Sequence, residues 1–166
     1  KGKSAVEEFR MTVNEWGFKG LKLLLVSSEI VDELVKTADD MGIPVTIHTN
    51  GNAAMYSRIA AIAKKYPRLP IIMEHMGYRY HVDLAIGITE QYPNLHLGTT
   101  VVAVAEPFVV KYAIEKVGPE KVLFGSNAPW ASPRAGVDGI RRLKLGKEDE
   151  KLVLGENFRR IFRPDR

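Results

Sequence analysis

The stretch Met41-Gly42-Ile43-Pro44-Val45-Thr46-Ile47-His48-Thr49 joins the end of a helical pattern to a strand pattern, and this type of junction decides the fold prediction. Glycine readily adopts the left-handed conformation that ends a helix, and proline cannot continue one, so Gly42 and Pro44 predict a helix stop. The apolar and β-branched residues after Pro44 predict a buried strand that ends near His48.

The same order of helix, stop and strand recurs along the chain. Further stops are Tyr66-Pro67, Tyr92-Pro93-Asn94 and Val117-Gly118-Pro119. Strand-like runs begin near residues 20, 43, 70, 94 and 121, and helical patterns cover roughly 4–16, 29–41, 53–66, 80–91 and 107–117. Residues 137–162 are predicted to be helical or mixed. Strands that alternate with helices of this length predict βαβ units and a parallel sheet.

Two α/β architectures fit this alternation, with residues 1–166 as a single domain in either case. Five βα units can form a doubly wound, flavodoxin-like sheet, or they can be about five-eighths of a (β/α)8 TIM barrel, which usually needs about 250 residues. The length of 166 residues favours the first architecture, and the start at Lys1 in place of Met mildly favours the second. Periodicity leaves both open.

Composition excludes several classes of protein. The chain is 45% hydrophobic and has no cysteine, which excludes a disordered chain, a disulfide scaffold and a thiolate metal site. The net charge of +4 comes wholly from residues 133–166, without a basic stripe interleaved with aromatic residues, so we expect no nucleic-acid partner. No apolar run approaches the roughly 18 to 20 residues of a membrane span, and no signal peptide is visible. We therefore expect a cytoplasmic protein without a membrane partner.

Polar residues lie where the predicted parallel strands end, which is where such folds place their chemistry. His48 and His75 end consecutive strands, and a strand spacing of about 5 Å would bring them within reach of one metal ion or substrate. Asn127 follows the last strand, where its amide can coordinate weakly or form a turn but cannot take up a proton. We interpret His96, early in its strand, as structural, whereas His81 could approach the site.

Other motifs are weaker. No dinucleotide-binding or Walker A glycine pattern follows a strand, and Gly125-Ser126 lacks the second glycine of a nucleophile elbow. The segment Asn50-Gly51-Asn52 could form an anion-binding turn. Four side chains on loops after strands could contact an aromatic or carboxylated small molecule: Arg79, Tyr80, Trp130 and Arg134.

Taken in order, five stretches resemble the C-terminal part of the amidohydrolase superfamily, and in particular the amidohydrolase-2 group of metal-dependent hydrolases and non-oxidative decarboxylases. These stretches are Gly17 to Leu23, Gly42 to Thr49, Glu74-His75-Met76-Gly77, Val117 to Pro129 and Gly155 to Phe162. The resemblance implies a TIM barrel in which the five strands of this chain are the fourth to the eighth.

The resemblance also implies roles for three residues. His48 matches a metal ligand on the fifth strand, and His75 matches a second ligand or a catalytic acid/base on the sixth. Asn127 stands where the family has an aspartate that acts as ligand and base, and no His-x-His pair precedes His48. The implied cofactor is Zn²⁺ or another divalent metal, held by a ligand set that this chain leaves incomplete.

Three hypotheses follow from these observations. The first is a metal-dependent hydrolase or decarboxylase that acts on a small carboxylated or cyclic molecule. This protein would be a homo-oligomer or would be completed by a segment before Lys1. The second is a metal-free or inactive relative that serves as a binding or scaffold subunit. The third is an unrelated doubly wound domain that binds a phosphorylated ligand at Asn50-Gly51-Asn52.

Overall fold

A computed structural model describes residues 2–24, 29–49 and 52–163, so the predicted turn at Asn50 and Gly51 lies outside the described residues. Each predicted helix up to residue 117 is present, with ends that differ from the prediction by at most two residues. In chain order the main elements are α1 (Gly2–Asn14), β1 (Leu21–Leu23), α2 (Glu29–Met41), β2 (Val45–His48), α3 (Ala54–Lys65), β3 (Ile71–Glu74), α4 (Val82–Gln91), β4 (Leu95–Gly98), α5 (Val102–Ala105), α6 (Pro107–Val117), β5 (Val122–Leu123), α7 (Pro133–Arg142), α8 (Lys147–Lys151) and α9 (Asn157–Phe162).

The five described strands form one parallel sheet in the order β1-β2-β3-β4-β5. Its register places Val45 opposite both Leu21 and Ile71, and Ile71 opposite Leu95. Because neighbours in the chain are also neighbours in the sheet, the sheet has no topological switch point. The strand order therefore contradicts a doubly wound domain and agrees with five βα units of a TIM-barrel fold.

Strand alternation gives the sheet two different faces. Residues of one parity pack against the surrounding helices and form the main core, which includes Val45, Ile47, Ile71, Met73 and Leu97, all fully buried. This arrangement follows from the period of two in a strand, which sends successive side chains to opposite faces. Side chains of the opposite parity lie on the other face of the sheet, and the polar strand residues are on this face.

The second face has a small apolar cluster near α9, formed by Ile72, Leu123 and Ile161 with the half-buried Phe162 against it. A Cβ atom at Gly20, just before β1, would lie 2.8 Å from the Phe162 ring, so a larger residue there would require this ring to move. A cavity of about 640 Å³ lies at this amino end of the strands, between the strand entries and α9. No helix among the described residues is long and apolar enough to cross a membrane.

The segment after residue 132 is helical but irregular, as its mixed pattern predicts. Leu152–Glu156 forms a π-helical turn between α8 and α9. The fully buried Asn157 donates from its amide to the carbonyls of Pro119 (2.8 Å) and Val122 (2.9 Å), which fixes α9 to the start of β5. The C-terminal helix is therefore tied into the sheet through a buried asparagine.

Candidate metal centre

His48 and Glu74 end neighbouring strands in register, so their side chains leave the same face of the sheet side by side. The Nδ1 atom of His48 lies 3.1 Å from Oε2 of Glu74. Both side chains are half-buried, with exposed fractions of 26% for His48 and 13% for Glu74. The end of the sheet thus supplies an imidazole and a carboxylate that are open to a small ligand.

His75 reaches the same point by a different route. It follows Glu74 directly, and strand alternation would send its ring to the opposite face of the sheet. The chain instead enters a short turn, His75–Gly77, in which φ is +67° at His75 and +55° at Met76. Left-handed conformations cost non-glycine residues about 1 kcal/mol or more each. The turn returns the His75 ring to the face that carries His48 and Glu74.

The three side chains meet in one cluster. Nε2 of His75 lies 3.2 Å from Nδ1 of His48 and 3.7 Å from Oε2 of Glu74, and the two imidazole rings are nearly perpendicular. Nδ1 of His48 therefore faces both the Glu74 carboxylate and the His75 ring, and a single proton on Nδ1 could not be donated equally to both. Three electron-pair donors that converge in this way are typical of a cation site.

The described residues fit a divalent metal on chemical grounds. His₂Glu donor sets occur in catalytic zinc sites, and mixed imidazole and carboxylate sets also suit other transition metals. Donors about 2.1 Å from an ion lie about 3.0 to 3.4 Å apart in octahedral or tetrahedral geometry. The separations of 3.1, 3.2 and 3.7 Å are close to that range before any adjustment.

The electrostatics of the cluster keep its donors in the forms that bind metals. Burial by itself would raise the pKa of the Glu74 carboxyl, but hydrogen bonds from Lys22 and His48 and the charge of Lys22 bring that pKa below its usual value. Burial lowers the pKa of His75, the charge of Glu74 opposes this, and the positive charges of His48 and Lys22 add to it. Near pH 7, Glu74 is therefore ionised and His75 is neutral.

Lys22 contributes the countercharge to Glu74. It lies on the polar face of β1, and its Nζ donates to Oε1 of Glu74 over 2.9 Å. The contact leaves Oε2 of Glu74 directed at the two histidines. Lys22 therefore orients the carboxylate and balances part of its charge.

We did not predict Glu74 or Lys22 as site residues from the sequence. The signal for Glu74 was available, because it has the same distance from its strand start as His48 and therefore the same face. Lys22 was also visible as a charged residue within the apolar run Leu21-Lys22-Leu23. With Glu74 included, the described part of the chain has three convergent donors, whereas the expected set of His48 and His75 was incomplete.

The other predicted residues lie outside this cluster or stay untested. Asn127 has φ of +67°, and its carbonyl accepts hydrogen bonds from the backbone N–H groups of Trp130 (3.0 Å) and Ala131 (3.2 Å), as a turn residue would. Its predicted catalytic role stays a prediction. His81 is the N-cap residue just before α4, close to the His75–Gly77 turn, and its ring centroid lies 5.7 Å from that of Tyr56.

The proposed substrate contacts are open to solvent. Tyr80 is 77% and Trp130 is 83% exposed, and the side chain of Arg134 is 93% exposed, 4.0 Å from the carboxylate of Asp138. Arg79 lies over the ring and hydroxyl of Tyr78. Their contact with a substrate stays a prediction.

His96 has the structural position that its place early in β4 predicts. It is 6% exposed, and its Nδ1 lies 3.2 Å from the carbonyl oxygen of Asn94. Burial lowers its pKa to about 4, and the positive charges of Lys121 and Arg160 add to this effect. His96 lines the cavity at the amino end of the sheet, away from the cluster at the carboxyl end.

The comparison with protein families agrees with the fold. The sequence model of the Amidohydrolase family, of the amidohydrolase-2 type, matches residues 1–163. The chain therefore belongs to this amidohydrolase family.

Individual relatives span more than one activity. A dihydroorotase from Helicobacter hepaticus (strain ATCC 51449 / 3B1) is 34% identical over 89 residues, which are 49% of this chain and 24% of that protein. An uncharacterized TIM-barrel protein from Bordetella bronchiseptica superposes with a TM-score of 0.80 and 19% identity, over 99% of this chain and 63% of that one. A dihydroxybenzoic acid decarboxylase from Polaromonas sp. JS666, with bound manganese and the inhibitor 2-nitroresorcinol, has a TM-score of 0.74 and 19% identity, over 100% and 67% of the two chains.

The coverage of these relatives limits what they show. The chain spans about a quarter of the curated dihydroorotase and about two thirds of the two solved structures. At 19% identity the solved structures establish the TIM-barrel type of fold and not the reaction.

Proposed function

We propose that this chain carries the metal-binding half of an amidohydrolase-family active site, and that the protein is a non-oxidative decarboxylase of a small aromatic or cyclic carboxylic acid. The observation that carries the proposal is the convergence of His48, Glu74 and His75, whose ligand atoms all lie within 4.8 Å of one another. A metal-free scaffold has no need for three donors in one place. The manganese in the decarboxylase from Polaromonas suggests Mn²⁺ as the first ion to test, beside Zn²⁺.

The three side chains would hold the metal, and a bound divalent ion would supply positive charge that binds and polarises an anionic substrate. His48 and His75 would each contribute a ring nitrogen, and Glu74 would contribute a negatively charged oxygen that Lys22 keeps ionised. The lowered pKa of His75 suits a ligand better than a proton donor near pH 7. We therefore assign His75 to the metal and regard its alternative role as acid/base as less favourable.

Asn127 favours decarboxylation over hydrolysis. Hydrolysis needs a base that removes a proton from water, and an amide cannot act as one. In decarboxylation the carbon–carbon bond to the carboxyl group breaks, CO₂ leaves, and the electron pair left on carbon takes up a proton. An amide at position 127 can still donate a hydrogen bond to a substrate carboxylate, provided that it faces the cluster.

Hydrolysis of a cyclic amide is the second candidate, because the dihydroorotase from Helicobacter hepaticus is 34% identical over the matched 89 residues. In that case Glu74 would have to serve as the base, since it is the ionised carboxylate beside the histidines. A cytoplasmic location, a homo-oligomer and completion by a preceding segment stay predictions for either candidate.

The first test is metal binding, measured by isothermal titration with Mn²⁺ and with Zn²⁺. Removal of a ligand in His48→Ala should weaken binding by at least the roughly 10- to 100-fold that loss of an outer-shell partner costs. The matched control is His81→Ala, which removes a half-buried histidine outside the cluster and should bind like the wild type. Equal affinities in both variants would contradict the assignment of the cluster.

The second test separates the two reactions. With Mn²⁺ present, CO₂ release from dihydroxybenzoic acids should exceed that of the His48→Ala variant, and dihydroorotate should not be opened. Ring opening without CO₂ release would support the hydrolase and overturn the decarboxylase.

A further inference from the structure

The turn that carries His75 is fixed by hydrogen bonds to a threonine side chain. Thr49 is fully buried, directly after β2, and its hydroxyl donates to the carbonyl of Glu74, the residue before His75. The same hydroxyl oxygen accepts a hydrogen bond from the backbone N–H of Gly77 over 3.1 Å. One side chain thus ties together the two ends of the segment in which His75 and Met76 are left-handed.

Packing closes the turn from the other side. Gly77 has φ of +76°, and a Cβ atom there would lie 2.9 Å from the hydroxyl of Tyr56, 3.1 Å from the backbone nitrogen of Val82 and 3.2 Å from Cβ of Ala85. Tyr56 is 2% exposed, so its hydroxyl is buried against Gly77. We call Thr49, Gly77 and Tyr56 the turn clamp.

The clamp matters for the site because of strand parity. Without the left-handed turn, alternation after Glu74 would place the His75 ring on the helix-facing side of the sheet, with Met73. The Nε2 atom of His75 lies 3.2 Å from His48 only because the backbone reverses this alternation. The contacts that fix the turn therefore also fix the third donor.

We propose that Thr49 is a positioning residue that sets His75 as a metal ligand through the turn clamp. The inference rests on the proposed metal site and adds a residue that fixes the position of one of its ligands. Thr49 is not one of the three converging donors, and its hydroxyl bonds to the backbone groups of Glu74 and Gly77. Its effect passes through the conformation of residues 75 to 77.

Thr49→Val tests the proposal, because valine has nearly the shape of threonine but carries a methyl group in place of the hydroxyl. Mn²⁺ affinity should fall about 10- to 100-fold, the range for lost outer-shell partners. Thr49→Ser retains the hydroxyl and should bind Mn²⁺ within about threefold of the wild type. The matched control is Thr89→Val in α4, which removes another buried hydroxyl that donates to a backbone carbonyl, that of Ala85, over 2.7 Å. Thr89→Val should lower the melting temperature and leave Mn²⁺ affinity unchanged.

A second readout works without metal. In protein with ¹⁵N-labelled histidine, Thr49→Val should shift the ring signals of His75 and leave those of His96, at the far end of the sheet, unchanged. If the wild type binds no Mn²⁺, the proposed function fails, but the ring signals still test the clamp. Wild-type affinity together with unchanged His75 signals in Thr49→Val would overturn the proposal. A loss in Thr89→Val equal to that in Thr49→Val would also overturn it, because it would reflect general destabilisation.

Discussion

The carboxyl and amino ends of the sheet both contain histidines beside polar partners, but the two ends treat them differently. At the carboxyl end, His48 and His75 are half-buried, face a carboxylate and converge with it on one point. At the amino end, His96 is buried, contacts a backbone carbonyl and lies near two cations, Lys121 and Arg160. The same residue type thus forms a candidate metal site at the carboxyl end and has a structural position at the amino end.

The difference lies in which groups surround each imidazole. A carboxylate and a second imidazole present several lone pairs that a cation can satisfy, whereas a backbone carbonyl accepts a hydrogen bond from an imidazole N–H and needs no cation. In TIM barrels the carboxyl ends of the strands hold the active site, and the amino ends contribute to stability. Variants at the two ends should therefore separate stability from metal binding.

The largest expected effect is on stability and comes from His96. Its pKa of about 4 in the folded protein lies below that of an unfolded histidine, near 6.5. Between these values the unfolded chain binds a proton that the folded chain does not, so the free energy of unfolding falls as pH drops from about 6.5 to 4. The loss should approach about 3 kcal/mol at pH 4, at 1.36 kcal/mol per pKa unit.

Urea unfolding at several pH values measures this effect, with His96→Gln as the variant that cannot titrate. The difference in unfolding free energy between wild type and His96→Gln should change across pH 6.5 to 4 and level off below. Parallel pH profiles for the two proteins would contradict the prediction, because they would show that folding does not lower the pKa of His96.

Asn94 gives the next largest effect, also at the amino end. Its amide nitrogen donates to the carbonyls of Ala63 (3.2 Å), Tyr66 (2.9 Å) and Leu69 (3.0 Å), which fixes the end of α3 to the entry of β4. Asn94→Ala leaves these carbonyls without their donor and should cost about 2 kcal/mol in urea unfolding. Mn²⁺ affinity should be unchanged. The exposed Asn14→Ala is the control and should stay within about 0.5 kcal/mol of the wild type.

Much of the fold could be predicted because the local signals agreed with one another. Helix stops such as Gly42 with Pro44 recur before the predicted strands, and each strand alternates with a helix. The choice between a doubly wound sheet and a barrel could not come from periodicity, since both use the same βα units. Spatial strand order decided it, and strand order is a property of tertiary packing.

The site was predicted only in part, for a physical reason. Strand ends identified His48 and His75, but strand parity alone would separate His75 from the face of Glu74. The left-handed backbone at His75 and Met76 reverses that parity, and two consecutive non-glycine residues in this conformation are uncommon. The turn is fixed by hydrogen bonds to Thr49 and by the close packing around Gly77. The residues that make these contacts lie in different segments of the sequence.

Glu74→Gln should change the free energy of unfolding less than the variants at His96 and Asn94 do, but it should weaken metal binding. The change keeps the size of the side chain and removes the charge that attracts a cation. Mn²⁺ affinity should fall at least about tenfold, as for other perturbed metal sites, while the melting temperature changes little. Glu120→Gln makes the same chemical change near the amino end, at an exposed residue beside Lys121, and should bind Mn²⁺ like the wild type. Equal losses in both variants would mean that overall charge, and not the cluster, attracts the ion.

The smallest expected effect comes from Lys22→Met, which removes the cation that shares Glu74 with the metal. Because the side chain of Lys22 is 54% exposed, the lost ion pair should cost at most about 1 kcal/mol of stability. The pKa of Glu74 should rise, since the hydrogen bond from Lys22 is the largest effect that lowers it. Above the Glu74 pKa, Mn²⁺ should bind slightly more tightly, because a competing positive charge is gone. On acidification, binding should be lost at a higher pH than in the wild type.

Titration of Mn²⁺ affinity against pH measures both changes. The control is Lys36→Met, whose partner is the surface residue Asp40. Weaker binding at neutral pH would instead mean that Lys22 acts mainly by orienting the Glu74 carboxylate. Lys22 would then have a structural role at the carboxyl end, as His96 has at the amino end.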